Sequence, residues 1–430
     1  MSILTAAMPS PTSTPVAVPE LPAASVPPFL FNAPMPPLPV AATLRHDQAG
    51  WPAIAAEVGA GYLARGLVGS FEAQAFGTVP GPLDALVTVP ARNEAGSIRA
   101  VLTGLRRALA ASPVRAAIVL FANNCDDGTA GNVAELAPAL GIPLVLVEGR
   151  LRRPHAHVGL ARRIAMDIAL GMGTPDCAIL TTDADTRVGD EWVRELTAPL
   201  AEGFELVCGD FEIEDPGPAV RGLQLHPLWR MEARYAALQN RVQHACDQVT
   251  GRQPVGGPCP HYVEAGASLG ITARLYRRLG GLPPVACSED RALVRAAELA
   301  GARICYAERA PVRTSGRLDG RAAGGLAATL SRRLVAAAPT LDQRLRPATG
   351  LRRLWTHALL AAAGHERAAL EWPTATPAAL HARMENEWQR SVVEPPMPAR
   401  VVRRELPRLA RLLRLEIEPA LARWAAGHGR

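Results

Sequence analysis

The 430-residue chain contains no lysine, since all 46 of its basic residues are arginine. A Schiff-base enzyme, a pyridoxal-phosphate site and a P-loop each need a lysine, so the sequence excludes these classes of chemistry. Aromatic residues are also scarce, at 4% of the chain against 48% for all hydrophobic residues. The core must therefore consist mainly of Ala, Leu, Val and Ile.

Long apolar runs and paired cysteines are missing as well. No stretch approaches the roughly 18–20 uncharged apolar residues of a membrane-spanning helix. The N-terminus has no charged segment followed by the apolar run of a secretory signal. The seven cysteines are scattered, without a CxxC pair, which favours reduced thiols over a disulfide framework. We therefore expect a cytoplasmic protein.

Proline and charge are distributed unevenly along the chain. Residues 1–40 hold 11 prolines and a single charged residue, Glu20. This composition predicts a disordered or polyproline-like tail over residues 1–45. Residues 311–430 hold 20 arginines against 10 acidic residues. We expect an Arg/Ala/Leu-rich helical extension over residues 319–430, whose surface is either solvated or faces an anionic partner.

Strand and helix patterns alternate four times between residues 84 and 201. The strand candidates are "LDALVTVP", "AAIVLFA", "IPLVLVE" and "CAILTT", each followed by an amphipathic helical pattern. Continuous apolar strands between such helices indicate an α/β fold, with a mostly parallel sheet flanked by helices on both faces. Residues 46–82, before this region, are predicted to form a short helical lead-in.

Two pairs of acidic residues are candidates for chemistry. Asp183 and Asp185 directly follow the fourth strand, and side chains two residues apart on a strand point the same way. Such a pair can bind Mg²⁺ or Mn²⁺ together with substrate phosphates, or it can be a solvated turn. Glu289 and Asp290 follow Ser288 at the start of a predicted helix, where carboxylates suit the helix dipole. One of them is alternatively a general base.

Several segments together resemble a known family. They are "VTVPARNEAGSIRAVLTGL", "NNCDDGT", "VGLARRIAMDIA", "LTTDADT", "EAGASLGITARLYRRLGGLPP" and "SEDRALVRAAELAGARICY". Their order and approximate spacing resemble those of non-processive family-2 glycosyltransferases with the GT-A fold. The resemblance covers about residues 84–317 and implies a Rossmann-like GT-A domain over residues 83–318. It also implies a nucleotide-sugar donor, a small-molecule or lipid-linked hydroxyl acceptor, and Mn²⁺ or Mg²⁺.

The same resemblance implies roles for individual residues. Asp185, with Asp183, would bind the metal, and Asp290 would be the catalytic base with Glu289 as its neighbour. The acceptor or phosphate side would include Ala267, Ser268 and Arg317. The donor would contact Pro90, Arg92, Glu94, Asn123, Arg162, Asp183 and Asp185.

Two departures from the family pattern refine these expectations. Asn123 stands where the family usually has a carboxylate that reads the nucleobase, so a uridine preference is not implied. Retaining relatives often carry a histidine ligand on the strand after the catalytic helix, but residues 303–320 contain no histidine. The sequence therefore favours an inverting enzyme.

Other interpretations remain open from the sequence. A sugar-nucleotide pyrophosphorylase shares the sheet type, although "PARNEAGS" lacks the lysine and the glycines of its phosphate loop. A non-catalytic nucleotide-sugar-binding or scaffold protein is a further alternative. The basic segment "ELPRLARLLRLEIEPALARW" would either pack against the rest of the protein or contact the inner face of a membrane peripherally. We expect no nucleic-acid partner, and the oligomeric state is left open.

Overall fold

The structure is a computed structural model. It describes residues 50–428, except 80, 215–216, 284, 323, 336–340 and 364–395. The predicted proline-rich tail therefore lies outside the described residues. In the part of the chain that is described, no helix is both long and apolar enough to cross a membrane.

The predicted alternation of strands and helices is confirmed. The strands are β2 (Ala85–Ala91), β3 (Ala116–Asn123), β4 (Leu144–Leu151) and β5 (Ala178–Thr181). The helices that follow them are α2 (Ile98–Ala111), α3 (Thr129–Leu140), α4 (Val158–Met172) and α5 (Trp192–Ala201). Neighbouring strands of this group are parallel, in the order β4-β3-β2-β5.

Five further strands extend the sheet on both sides. They are β1 (Val68–Phe76), β6 (Thr186–Arg187), β7 (Leu206–Glu214), β8 (Leu269–Thr272) and β9 (Ile304–Ser315). Among the described residues the sheet has nine strands, in the order β1-β4-β3-β2-β5-β8-β7-β9-β6. Apart from the parallel pair β7 and β9, the added strands pair antiparallel to their neighbours.

The expectation that residues 46–82 are helical is only half right. Helix α1 (Trp51–Ala64) is present, but Val68–Phe76 is the edge strand β1, which pairs antiparallel with β4. Its sequence, VGSFEAQAF, contains residues that suit a helix as well as a strand. Pairing with β4 decides its state, because strand preference depends strongly on the neighbouring strand.

Each face of the sheet carries its own apolar core. Residues Ala117, Val119 and Phe121 of β3 face α1 and α4, whereas Ile118 and Leu120 face the layer of α2, α3 and α5. This alternation follows from the period of two along a strand. The first of these cores also includes α8 (Ala273–Arg278) and α9 (Glu289–Leu299).

The described residues after the sheet domain are mostly helical, as predicted for the extension. The helices are α10 (Leu326–Val335), α11 (Ala348–Ala362), α12 (Ala399–Leu412), a π-helical turn (Leu413–Ile417) and α13 (Glu418–His428). Before them, two helices follow β7: α6 (Pro218–Leu225) and α7 (Pro227–Val249). They are separate because Pro227 cannot continue a preceding helix. Helices α7, α11 and α12 share a third core.

Candidate active site

The strand order reverses at β2, which predicts a crevice beyond the carboxyl ends of the neighbouring strands β2 and β5. From β2 the chain adds β3 and β4 on one side and then crosses back to add β5 on the other. In open α/β sheets, ligands bind outside the carboxyl ends of the strands at such a reversal of strand order. The pairing of β2 with β5 ends at Thr88 and Thr181, so Pro90 lies where this edge of β2 is already free. A proline is tolerated at that point because no ladder hydrogen bond is lost.

The loops after β2 and β3 are tied together by hydrogen bonds. Asn93, at a positive φ of 53°, accepts a hydrogen bond from the backbone N–H of Asp126 at 3.0 Å. The backbone N–H of Glu94 donates to Thr129 Oγ1 at 2.8 Å, and that of Ala95 donates to Asp127 Oδ2 at 2.9 Å. The two loops therefore form one side of the crevice with a defined shape.

Arg162 of α4 joins the two predicted acidic motifs. Its side chain is 3% exposed, and its Nη2 donates to Asp183 Oδ1 at 2.6 Å. Its Nε donates to Glu289 Oε1 at 3.0 Å, and its Nη1 donates to Thr181 Oγ1 at 2.6 Å and to the Gly266 carbonyl at 3.0 Å. Burial disfavours the charged guanidinium, but the carboxylates of Asp183 and Glu289 raise the pKa of Arg162 above its usual value.

The second acidic pair divides into a buried and a more accessible carboxyl group. Glu289 is 4% exposed, and burial raises the pKa of its carboxyl while Arg162 opposes the shift. Asp290 is half-buried and accepts hydrogen bonds from the backbone N–H groups of Gly266 and Arg291, both at 2.8 Å. Because Gly266 also contacts Arg162, Asp290 lies beside the same cluster as Asp183.

Arg317 and Glu94 form a second bridge across the crevice. The guanidinium of Arg317 makes two hydrogen bonds to the Glu94 carboxylate, and its Nη2 lies 3.1 Å from Asp185 Oδ2. Ser97 Oγ donates to Glu94 Oε2 at 2.7 Å and lies 2.9 Å from the carbonyl oxygen of Ala184. The loop after β2, the Asp183–Asp185 segment and the end of β9 therefore meet at one place.

Electrostatics make the Asp185 carboxylate a suitable cation ligand. Burial, together with the nearby carboxylates of Asp183 and Glu94, raises the pKa of Asp185 to about 6 despite Arg317. A further positive charge would relieve this repulsion. In the described part of the chain, no three His, Cys, Asp or Glu side chains are grouped so as to hold a metal. Asp185 and Asp183 thus fit a Mg²⁺ or Mn²⁺ ion whose other ligands are phosphate oxygens and water.

Helix α4 is fitted closely against the loop that precedes Glu289. A Cβ atom on Gly159 would lie 2.0 Å from the carbonyl oxygen of Val285. Arg163, next to Arg162, donates to the carbonyl oxygens of Leu282 at 2.6 Å and Gly280 at 2.9 Å. One face of α4 therefore positions both the loop before α9 and, through Arg162, the acidic motifs.

The other predicted site residues differ in their exposure. Arg92 is exposed, and Pro90 and Ala267 are buried. Asn123 is 5% exposed, and its amide group donates to the Ala91 carbonyl at 2.9 Å. Arg162, also predicted to contact the donor, uses its nitrogens for the contacts within the protein described above.

Ser268, predicted to lie on the acceptor or phosphate side, packs inside the sheet. Its side chain is completely buried; its Oγ accepts a hydrogen bond from Trp192 Nε1 at 2.9 Å and lies 3.0 Å from the Ala310 carbonyl oxygen. Both interactions hold α5 and β9 against the sheet. Ser268 is therefore a packing residue, because a buried hydroxyl is used to satisfy neighbouring polar groups.

Charged residues of the C-terminal extension border Asp290, which the sequence did not indicate. Arg291 pairs with Asp342 at 3.3 Å, and Arg344 lies 3.7 Å from Glu264. Burial raises the pKa of Glu264 to about 7, against the opposing charge of Arg344. No local motif signals these contacts, since they join segments that lie about fifty to eighty residues apart in the chain.

The described residues thus combine a nine-stranded α/β sheet, a reversal of strand order at β2 and two acidic motifs beside that reversal. Residues 86–256 match the family model "Glycosyl transferase family 2". This segment, less than half of the chain, is therefore similar to glycosyl transferase family 2. The matched segment includes Asp183 and Asp185 but ends before Glu289 and Asp290.

Solved structures similar to this chain include two glycosyltransferases. One is S. aureus TarS 1-349 in complex with UDP, with 14% identity, coverage of 64% of this chain and 71% of that chain, and a TM-score of 0.39. The other is glucosyl-3-phosphoglycerate synthase from Mycobacterium tuberculosis, in complex with Mn²⁺, UDP and phosphoglyceric acid. It has 19% identity, coverage of 63% of this chain and 78% of that chain, and a TM-score of 0.36. A search of curated protein sequences found no match.

Proposed function

We propose that the protein is an inverting glycosyltransferase that transfers a sugar from a nucleoside-diphosphate donor to a hydroxyl acceptor. The observation that carries the proposal is the joint contact of Arg162 with Asp183 and Glu289, at 2.6 and 3.0 Å. Two acidic motifs about a hundred residues apart in sequence therefore lie beside one cleft. A scaffold protein has no need for this arrangement, whereas sugar transfer uses one carboxylate for the donor and one for the acceptor.

The donor side is assigned to the crevice between β2 and β5. The tied loops after β2 and β3 would hold the nucleoside, and Asp185 would hold the divalent ion. That ion, when bound, would neutralise the diphosphate of the leaving group. Arg317 is already 3.1 Å from Asp185 and is suited to bind a phosphate oxygen through its planar guanidinium.

Asp290 is the better candidate for the general base. Glu289 is buried and bound to Arg162, whereas Asp290 accepts hydrogen bonds from two backbone N–H groups and is partly accessible. In the reaction the acceptor oxygen bonds to the anomeric carbon while the bond from that carbon to the diphosphate oxygen breaks. Asp290 takes the proton of the hydroxyl, and the nucleoside diphosphate leaves with the electron pair.

Substitutions of Asp185 and Asp290 should have different effects on nucleotide binding and on turnover. We expect purified protein with Mn²⁺ to be stabilised against thermal unfolding by one member of a panel of nucleoside diphosphates and to consume the matching nucleotide sugar. Asp185→Ala should lose both nucleotide stabilisation and turnover. Asp290→Asn should keep the stabilisation but lose about 10²–10⁴-fold in kcat, the usual contribution of a general base.

Asp176→Asn is the matched control, because Asp176 pairs with Arg274 on the surface and should leave both properties unchanged. Full turnover in Asp290→Asn, or no stabilisation of the wild type by any nucleotide, would contradict the proposal.

A further inference from the structure

One side of the C-terminal helices carries a row of arginines. These residues recur every three or four positions along α12 and the π-helical turn, with one adjacent pair, so they lie on one broad helical face. All are exposed, and the row is roughly 21 Å long at 1.5 Å per residue. We call it the arginine stripe; it consists of Arg400, Arg403, Arg404, Arg408, Arg411 and Arg414.

The opposite face of α12 fixes the direction of the stripe. Val402 and Leu409 are completely buried in the third core, against α7 and α11. The apolar face is therefore used for packing against the rest of the protein. This packing fixes the rotation of α12 about its axis, so the arginines face solvent.

The stripe is not neutralised by the acidic residue within it. Glu405 is 4% exposed; its carboxylate pairs with Arg408 at 2.6 Å and accepts a hydrogen bond from the backbone N–H of Ala348. Arg404 also lies near enough to Glu405 to help lower the pKa of its carboxyl, whereas Arg400, Arg403, Arg411 and Arg414 make no ion pair with any residue that the structure describes. A linear cluster of uncompensated positive charge results, and such a cluster attracts anionic partners.

We propose that the arginine stripe binds the anionic headgroups of a phospholipid bilayer. A planar array of phosphates matches a straight row of guanidinium groups, and each basic residue near such a surface adds about fivefold to the affinity. Leu415, 53% exposed beside Arg414, supplies an apolar side chain that can enter the headgroup region. Single-stranded nucleic acids fit less well, because they require aromatic side chains for base stacking and residues 399–417 contain none.

Vesicle co-sedimentation of the full-length protein tests this proposal independently of sugar transfer. We expect binding to vesicles that contain phosphatidylglycerol and none to pure phosphatidylcholine vesicles, with loss of binding at high salt. The triple variant Arg403→Gln, Arg404→Gln, Arg411→Gln should bind phosphatidylglycerol vesicles about a hundredfold more weakly. Since these side chains are exposed, its thermal unfolding should match that of the wild type.

The matched control removes three exposed arginines elsewhere: Arg65→Gln, Arg277→Gln, Arg309→Gln. This control loses the same charge and should retain vesicle binding. Equal weakening of both triple variants would show that net charge alone drives binding and would overturn the proposal. Failure of the wild type to bind phosphatidylglycerol vesicles, with or without tight binding to RNA, would overturn it as well.

Discussion

Arg162 is a buried cation whose charge is balanced by two carboxylates, Asp183 and Glu289. Removing one partner from a buried ion cluster leaves an uncompensated charge, which typically costs about 3–5 kcal/mol. We therefore expect Arg162→Met to lower the free energy of unfolding by about this amount, as measured by urea denaturation.

A double variant distinguishes lost charge balance from lost packing. Glu289→Gln removes the carboxylate that Arg162→Met would leave unpaired, so the combined variant should be destabilised by less than the sum of the two single variants. Strict additivity would mean that Arg162 and Glu289 do not interact in the folded protein.

Glu264 gives the protein a predictable pH dependence. Its pKa is raised from an ordinary 4.5 to about 7, chiefly by burial. Between these values the folded state holds a proton that the unfolded state has released. The contribution of Glu264 to stability is therefore complete below pH 4.5 and is lost as the pH rises through 7.

Glu264→Gln should remove this pH-dependent contribution to the free energy of unfolding. Between about pH 5 and about pH 8, urea denaturation should show the wild type losing about 1–3 kcal/mol relative to this variant. Glu135→Gln, on the exposed side of α3, serves as control and should follow the wild-type profile. Parallel profiles for the wild type and Glu264→Gln would exclude a raised pKa at Glu264.

At the level of elements, the N-terminal turn of α4 packs tightly against the loop before the second acidic pair. Gly159→Ala would place a Cβ atom 2.0 Å from the Val285 carbonyl oxygen, so helix and loop must separate. We expect a loss of about 1–3 kcal/mol in stability, as for other overpacked sites, and a lower kcat because Glu289 and Asp290 follow this loop.

Gly131→Ala, inside α3, is the matched control. No atom lies within 4 Å of the Cβ that this change adds, and alanine favours a helix over glycine by about 1 kcal/mol. This variant should be as stable as the wild type or more so. Equal stability of Gly159→Ala and Gly131→Ala would show that the approach of Val285 is not tight.

At the scale of the whole molecule, the C-terminal extension packs against α7, and the two form an additional apolar core. Leu409 is completely buried there, whereas Leu415 is 53% exposed in the π-helical turn that follows. Leu409→Ala should cost about 2–5 kcal/mol, and Leu415→Ala should lie within about 0.5 kcal/mol of the wild type. Chemical denaturation of both variants checks this contrast, and similar losses from the two changes would contradict the packing.

The predicted parts of the fold are those with a strong local pattern. Strands β2 to β5 and helices α2 to α5 follow from apolar runs and helical periodicity, which report burial residue by residue. Strand β1 was missed because its composition suits a helix and only pairing with β4 makes it a strand. Strand β8 is limited to Leu269–Thr272, since its pairing with β5 and β7 involves only these residues.

The candidate site divides in the same way. Asp183, Asp185, Glu289 and Asp290 were recognisable from their places next to a strand end and a helix start. The contacts of Arg162 and Arg317 were not, because each joins segments more than a hundred residues apart. Ser268 was assigned to the acceptor or phosphate side from the family resemblance, but its burial against Trp192 and Ala310 is a property of the packed sheet.

The sequence by itself determined the α/β alternation, the lysine-free chemistry and the acidic residues available for catalysis, since these depend on composition and on spacing within a few residues. The tertiary structure alone decided that β5 crosses to the far side of β2 and opens a crevice there. It also decided that Arg162 holds the two acidic motifs together and that α12 turns its arginines to solvent. These features depend on which distant segments of the chain share a buried surface, and a local sequence pattern carries no information about such contacts.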